Sequence, residues 1–296
     1  MTAEWDAERT RRSLHAPTAH DDKYSRGVVG MRTGSREYPG AAMLGVEAAW
    51  RTGTGMVRYL GPERATGLVL ARRPETVAAP GRVQAWVIGS GTDAVTRTPE
   101  EAAALRAILA GDVPVVVDAG ALDLAAGATA PLILTPHARE LDRLRDALGL
   151  ARLGADDGDE LRAEAARETA AVLGAVVLAK GALTLVADPS GVVRRVRTDA
   201  PWLATAGTGD VLGGVLGAIV AGRAARGTPD PAALADAAAS ASWLHGAAAR
   251  LAAARLGERG GPITALDVAE ALPRAVGEVL AGERGRTRSQ AAPPVG

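Results

Sequence analysis

Four short apolar runs, each closed by glycine or a polar residue, constrain this chain most. Trp86-Val87-Ile88 ends in Gly89-Ser90-Gly91, and Val113 to Asp118 (VPVVVD) ends in a carboxylate. Leu132 to Thr135 leads into Pro136-His137, and Ala175 to Ala179 ends at Lys180-Gly181. Uninterrupted apolar runs this short, bounded by turn signals, read as strands buried on both faces. Val28 to Met31 and Met56 to Leu60 are two more strands. Thr184 to Ala187 and Val192 to Arg197 flank Asp188-Pro189-Ser190-Gly191 as a hairpin. Helical spacing covers Gly40 to Thr52, Glu100 to Ala110, Arg139 to Leu148 and Leu161 to Leu173. It returns over Val211 to Ala221, Pro231 to Arg255 and Ala265 to Leu280. Strands alternating with helices predict an α/β fold, a mostly parallel central sheet with helices on both faces. Ligands in such folds sit beyond the carboxyl ends of the strands.

Composition supports this. Hydrophobic residues make up 47% of 296, aromatics only 3%, and Phe is absent. The core is therefore aliphatic, which suits helices packed closely on a parallel sheet. Acidic and basic residues balance at 34 each, which argues against a nucleic-acid-binding surface. Without Cys there is no disulfide, thiolate metal site or Cys nucleophile. No run approaches the ~18 apolar residues of a membrane span, and the polar first 22 residues lack a signal-like apolar segment. The expectation is a cytoplasmic protein with no membrane partner. Residues 1–22 read as a polar lead-in, 23–281 as one catalytic domain, and 282–296 as a disordered tail. Asp156 to Glu160 reads as a solvated acidic loop.

The chemistry concentrates at strand ends and helix starts. Ala204 to Gly214 reads ATAGTGDVLGG. Gly207 and Gly209 let backbone amides turn inward, and the following helix adds the positive end of its dipole. This is a cradle for a phosphoryl group in transfer. Asp210 at its edge can take a proton from an attacking hydroxyl, or it can simply cap the helix. The lysine of a Walker loop is missing. Lys180, one of only two lysines among the 34 basic residues, can reach a phosphate as a point charge or sit solvated in a hairpin. Thr135, His137 and Glu140 can serve a phosphate or its metal, or cap a helix. Asp118 can serve a metal's waters or a turn. His245 reads as a packed helix residue.

In order along residues 22 to 280, these segments resemble the NAD(P)H-hydrate dehydratases, carbohydrate-kinase-like relatives of ribokinase. The matching stretches are Lys23 to Gly27, Gly34-Ser35 with Tyr38 to Ala42, Gly53 to Val57, Gly89-Ser90-Gly91 and Val117 to Leu122. Leu134 to His137 with Glu140, Lys180 to Thr184, Ala204 to Leu212 and Leu244 to Ala247 complete the series. The resemblance implies a ribokinase-like three-layer fold and a metabolite-repair lyase. Its substrates would be S-NADHX and S-NADPHX, with ADP or ATP as co-substrate and Mg²⁺. The terminal phosphoryl group goes to the ring hydroxyl, and phosphate then leaves to restore NADH or NADPH. It further implies Asp210 as base, with Ala41, Gly91, His137 and Asp210 lining the hydrate pocket. Lys180, Gly181, Ala182, Leu183, Thr184 and Gly209 would bind nucleotide, and Ala206, Gly207, Thr208 and Gly209 would form the anion hole. No metal ligand is assigned. A homotetramer is expected by resemblance, with the partner epimerase a separate protein. The chain departs from the family at Asp93, a negative charge in the glycine turn, and at Ala206, a methyl beside the anion hole.

Two other readings share these residues. One is a vitamin-precursor kinase of the same fold, acting on a hydroxymethylpyrimidine or hydroxyethylthiazole. The other is a catalytically silent nucleotide-binding relative. The order of the KGALT and TPH stretches favours the dehydratase.

Overall fold

The computed structural model describes residues 4–154 and 157–282. The strands are β1 (Val28–Arg32), β2 (Met56–Tyr59), β3 (Ala85–Ile88), β4 (Val115–Val117), β5 (Leu132–Leu134), β6 (Val176–Ala179), β7 (Leu183–Ala187) and β8 (Val193–Arg197). They form one sheet in the order β2-β1-β3-β4-β5-β6-β7-β8. From β2 across to β6 every pairing is parallel, with Val29 opposite both Val57 and Ala85. β7 is antiparallel to both neighbours, as the predicted hairpin requires. Val115, Val116 and Val117 are wholly buried, so the run has apolar cover on both faces.

The helices are α1 (Ala7–Ser13), α2 (Pro39–Thr52), α3 (Glu63–Arg72), α4 (Pro99–Leu109), α5 (Ala138–Ala147), α6 (Asp159–Leu173), α7 (Thr208–Ala224), α8 (Pro231–Ala254) and α9 (Ala265–Ala281). One core cluster packs α2, α7, α8 and α9 on one face of the sheet. A second packs α4, α5 and α6 on the other. Two apolar faces covered by helices make the three layers that the alternation predicted.

α7 sets the site. It is buried on almost every side, because it lies between the sheet, α2 and α8. Glycines permit that closeness. A Cβ on Gly214 would lie 2.1 Å from the Gly45 carbonyl oxygen of α2, and one on Gly217 would lie 2.4 Å from Val87 of β3. Backbone packed on backbone fixes where the first turn of α7 points.

The sequence reading has no helix before residue 40, yet α1 forms. Asp6 accepts from the Arg9 amide at 2.8 Å to cap it, and the buried Trp5 indole donates to Thr10 Oγ1 at 3.1 Å. α3 was also unpredicted: it buries only Ala65 and Val69, too thin a stripe to show as periodicity. α7 begins at Thr208, three residues before the expected start. Of the expected tail, 283–296 lies outside the described residues, as does Asp156 of the acidic loop. Among the described residues no helix is long and apolar enough to cross a membrane.

Candidate active site

The strand order reverses between β1 and β3, and in open α/β sheets ligands bind beside such a switch point. Gly34, after β1, donates its amide to the Ser90 carbonyl after β3 at 2.7 Å. Gly91 has φ +65°, and a Cβ there would sit 2.3 Å from Ala41 Cβ in the first turn of α2. Two residues expected to line one pocket thus touch, and only glycine fits the second position.

The cradle faces the same end of the sheet. Gly207 adopts φ +89° and caps α7 with no side-chain hydrogen bond. The first-turn amides of α7 have no acceptor within the helix; Thr208 gives its amide to the Thr205 carbonyl at 3.4 Å, and the Gly209 amide is left for a ligand. Thr208 is held firmly: its hydroxyl donates to the Leu203 and Thr205 carbonyls at 3.0 and 2.9 Å. Asp210 is the third residue of α7, so it is not the cap, and the capping alternative falls. Burial, and then the Asp118 carboxylate, push its pKa up to about 7, against the pull of Lys180. An acid poised near neutrality can accept a proton at physiological pH.

Asp118, at the end of β4, gathers three neighbouring strand ends. Its Oδ1 accepts from Thr135 Oγ1 after β5 at 2.8 Å and from Lys180 Nζ after β6 at 2.9 Å. Its Oδ2 accepts from Ser90 Oγ after β3 at 3.0 Å. Lys180 Nζ also lies 3.7 Å from Glu140 Oε2, and 3.8 Å from where a Gly209 Cβ would stand. One ammonium therefore links the carboxylate network to the cradle.

The remaining predicted residues are less uniform. His137 caps α5 in a capping box with Glu140, and its side chain is 49% exposed. It meets the network only through Glu140. Gly181 and Ala182 are exposed, whereas Leu183 and Thr184 are buried in β7. Nucleotide contact along that stretch would fall to the Gly181-Ala182 backbone. Ala206 is exposed, so its methyl points into open space. Asp93 is exposed and accepts from the Val95 amide at 2.8 Å, so its charge closes a local turn.

Sequence reasoning missed the part played by Ser90, whose hydroxyl completes Asp118. It also missed Arg162 of α6, whose guanidinium stands 2.5 Å from the place of a Gly181 Cβ. Neither carried a local signal, since each contact spans different elements. Among the described residues no group of three or more His, Asp or Glu could hold a metal ion. A cleft lined by Leu14, Arg26, Gly53 and Arg226 opens by the start of β1 and the end of α2, and includes none of these site groups.

The sequence pattern of one family, described as NAD(P)H-hydrate dehydratase, matches residues 29–274. The bifunctional NAD(P)H-hydrate repair enzyme of Mycobacterium tuberculosis is 47% identical over 218 residues, 69% of this chain and 43% of that protein. The ADP-dependent (S)-NAD(P)H-hydrate dehydratase of Neisseria meningitidis is 35% identical over 243 residues, 75% of this chain and 76% of that one. The chain spans about half the length of the bifunctional relatives it matches. Among solved structures, the ADP/ATP-dependent NAD(P)H-hydrate dehydratase of Bacillus subtilis, co-crystallised with ATP/Mg²⁺, superposes with a TM-score of 0.76. That match is 29% identical and covers 93% of this chain and 98% of that one.

Proposed function

Because the chain belongs to the NAD(P)H-hydrate dehydratase family, we propose that it converts S-NADHX and S-NADPHX back to NADH and NADPH at the expense of ADP. One observation supports this reading: the Asp210 carboxyl group, its pKa raised to about 7, stands in the first turn of a helix capped by Gly207 with no side-chain hydrogen bond.

Asp210 takes the proton of the ring hydroxyl as its oxygen attacks the terminal phosphorus of ADP. The bond from that phosphorus to AMP breaks as the new one forms. The amides of Gly207 and Gly209 stabilise charge on the moving group, with Thr208, whose amide bonds the Thr205 carbonyl, holding the turn between them. Phosphate then leaves the ring carbon, a proton is lost to water from the neighbouring ring carbon, and the double bond of the reduced ring is restored. Lys180 and the Gly181-Ala182 backbone hold the nucleotide, with Leu183 and Thr184 fixing that stretch in β7. Ala41, Gly91 and His137 flank the hydrate.

The donor set fits Mg²⁺ carried by the nucleotide, since this ion needs only one or two protein carboxylates besides phosphate oxygens. Asp118 and Glu140 are the carboxylates that would reach it, and it would neutralise phosphate charge. The proposal extends to a cytoplasmic homotetramer supplied with the S form by an epimerase.

The test is recovery of NADH absorbance on incubation with S-NADHX, ADP and Mg²⁺, with ATP in a parallel assay. NADH should return with ADP. No recovery, alongside phosphorylation of a hydroxymethylpyrimidine or hydroxyethylthiazole, would reverse the assignment.

A further inference from the structure

Two stretches of the chain, Lys23 to Gly27 and Gly53 to Val57, take no part in the chemistry above. They meet where β1 and β2 begin, and a Cβ on Gly55 would lie 2.1 Å from the Lys23 carbonyl oxygen. Close packing therefore accounts for the glycine. It does not account for Arg26. This residue lines the cleft at the start of β1, with Leu14, Thr54, Gly222 and Arg226. Gly222 stands in the last turns of α7, about 20 Å along that helix from Thr208 and the cradle. The cleft encloses about 50 Å³, several times the ~10–15 Å³ that one water needs.

The walls gather more positive charge than their surroundings neutralise. Arg26 gives one Nη2 bond to the Gly53 carbonyl at 2.9 Å, and its Nε is buried with no partner among the described residues. Arg223, in the last turn of α7, has a buried Nε in the same condition. Arg226 follows one turn later, its amide bonded to the Arg223 carbonyl at 3.0 Å. Among the described residues neither Arg223 nor Arg226 ion-pairs with an acid. Burial, and then the Arg223 charge, bring the pKa of Arg226 down, against the pull of Asp21. Asp21 lies 3.2 Å from His15, which also lines the cleft, but its oxygens already accept from Thr18 and Ser25. The ends of α2 and α7 add about half a negative charge each. Three guanidinium groups exceed these and Asp21 together.

We propose that this cleft is a second anion site, binding a phosphate dianion, free or at the end of a small monoester, on the guanidinium groups of Arg26 and Arg226. A tetrahedral anion can accept from two such forks at once. It would also pair N–H groups that burial otherwise leaves unsatisfied. The space is far below the ~300–1,000 Å³ of pockets that enclose larger ligands, so the ligand is a small anion. The site uses none of the residues of the dehydratase reading and stands apart from it.

The test is calorimetric titration of the full chain with inorganic phosphate and, separately, with glycerol 3-phosphate, each against sodium chloride at equal ionic strength. Amide hydrogen exchange shows where binding occurs. Phosphate should bind, and should slow exchange over residues 26–28, 53–55 and 222–226. Arg26→Gln and Arg226→Gln should each weaken binding about tenfold or more, the loss of one charge-assisted contact. Arg274→Gln, which removes an exposed arginine of α9 paired with Glu278, should leave binding unchanged. Tighter binding of phosphate identifies the free ion as ligand, and tighter binding of glycerol 3-phosphate identifies a monoester; either supports the site. If Arg26→Gln does not fold, Arg226→Gln decides alone, since Arg226 is exposed. The proposal is overturned if phosphate binds no better than chloride, or if Arg274→Gln weakens it as much as Arg226→Gln. It is equally overturned if exchange slows only over the cradle at residues 207–212. Failure to recover NADH would defeat the dehydratase reading and leave this test as it stands.

Discussion

The Lys180 ammonium lies 2.9 Å from the Asp118 carboxylate, in a pocket also walled by Thr135 and Ser90. Burial alone would lower the lysine's pKa, yet Asp118 and Glu140 hold it above its ordinary value. The cation is thus committed to the protein before any phosphate arrives. It balances Asp118 and restrains the upward shift of Asp210 at once.

Lys180→Ala should therefore do two things. It leaves a buried carboxylate uncompensated, at a cost of about 3 kcal/mol in urea unfolding at pH 7. It should also weaken ADP binding more than hydrate binding, as titration calorimetry with each ligand can show. Equal losses for both ligands would mean that the ammonium does not face the nucleotide.

Asp210 makes a prediction about pH. If its carboxylate is the base, kcat/KM rises with pH and levels off above an apparent pKa near 7, the value to which burial raises it. Asp210→Asn should bind ADP yet lose several orders of magnitude in rate. Linkage gives the stability change. The folded pKa exceeds the unfolded one, so the folded state gains from binding this proton below pH 4 and loses that gain as pH rises to 7. Asp210→Asn removes the loss, and should unfold later than wild type at pH 8 by up to about 4 kcal/mol, with no such gain at pH 4. A flat pH–rate profile across pH 6–8 would remove Asp210 from the role of base.

The strands were legible because Val115 to Val117 and Val176 to Ala179 are buried on both faces, which writes an unbroken apolar run into the chain. The small residues of α7 were legible too, since Gly213, Gly214 and Gly217 announce a helix pressed against its neighbours. Two kinds of feature were hidden. α3 exposes most of its surface and so has little pattern to read. Asp118 is the other kind: its partners Ser90, Thr135 and Lys180 are 28, 17 and 62 residues away. Only the sheet order brings them together. The capping reading of Asp210 failed for a similar reason, as the cap falls on Gly207, whose φ of +89° no residue pattern states.

Glu47 offers a test of what holds α2, and so Ala41, in place. Its carboxylate is fully buried on α2, with Arg51 Nε at 2.5 Å and Arg73 Nε and Nη2 at 2.5 and 2.6 Å; Arg72 of α3 lies 3.4 Å away. Burial would raise its pKa, but the three guanidinium groups bring it down to about 2. A carboxyl depressed in the folded state contributes stability above its unfolded pKa, and that contribution fades as pH falls from about 4.5 towards 2. Glu47→Gln strands three cations around a neutral group and should cost about 3–5 kcal/mol at pH 7. The gap between variant and wild type should narrow steadily in urea unfolding at lower pH and nearly close at pH 2. Since Glu47 lies almost two turns from Ala41, the folded fraction should keep its KM for the hydrate. If Glu47→Gln unfolds like wild type at pH 7, the arginines are solvated enough to need no counter-ion, and α2 is held by its apolar packing on α7, α9 and the sheet.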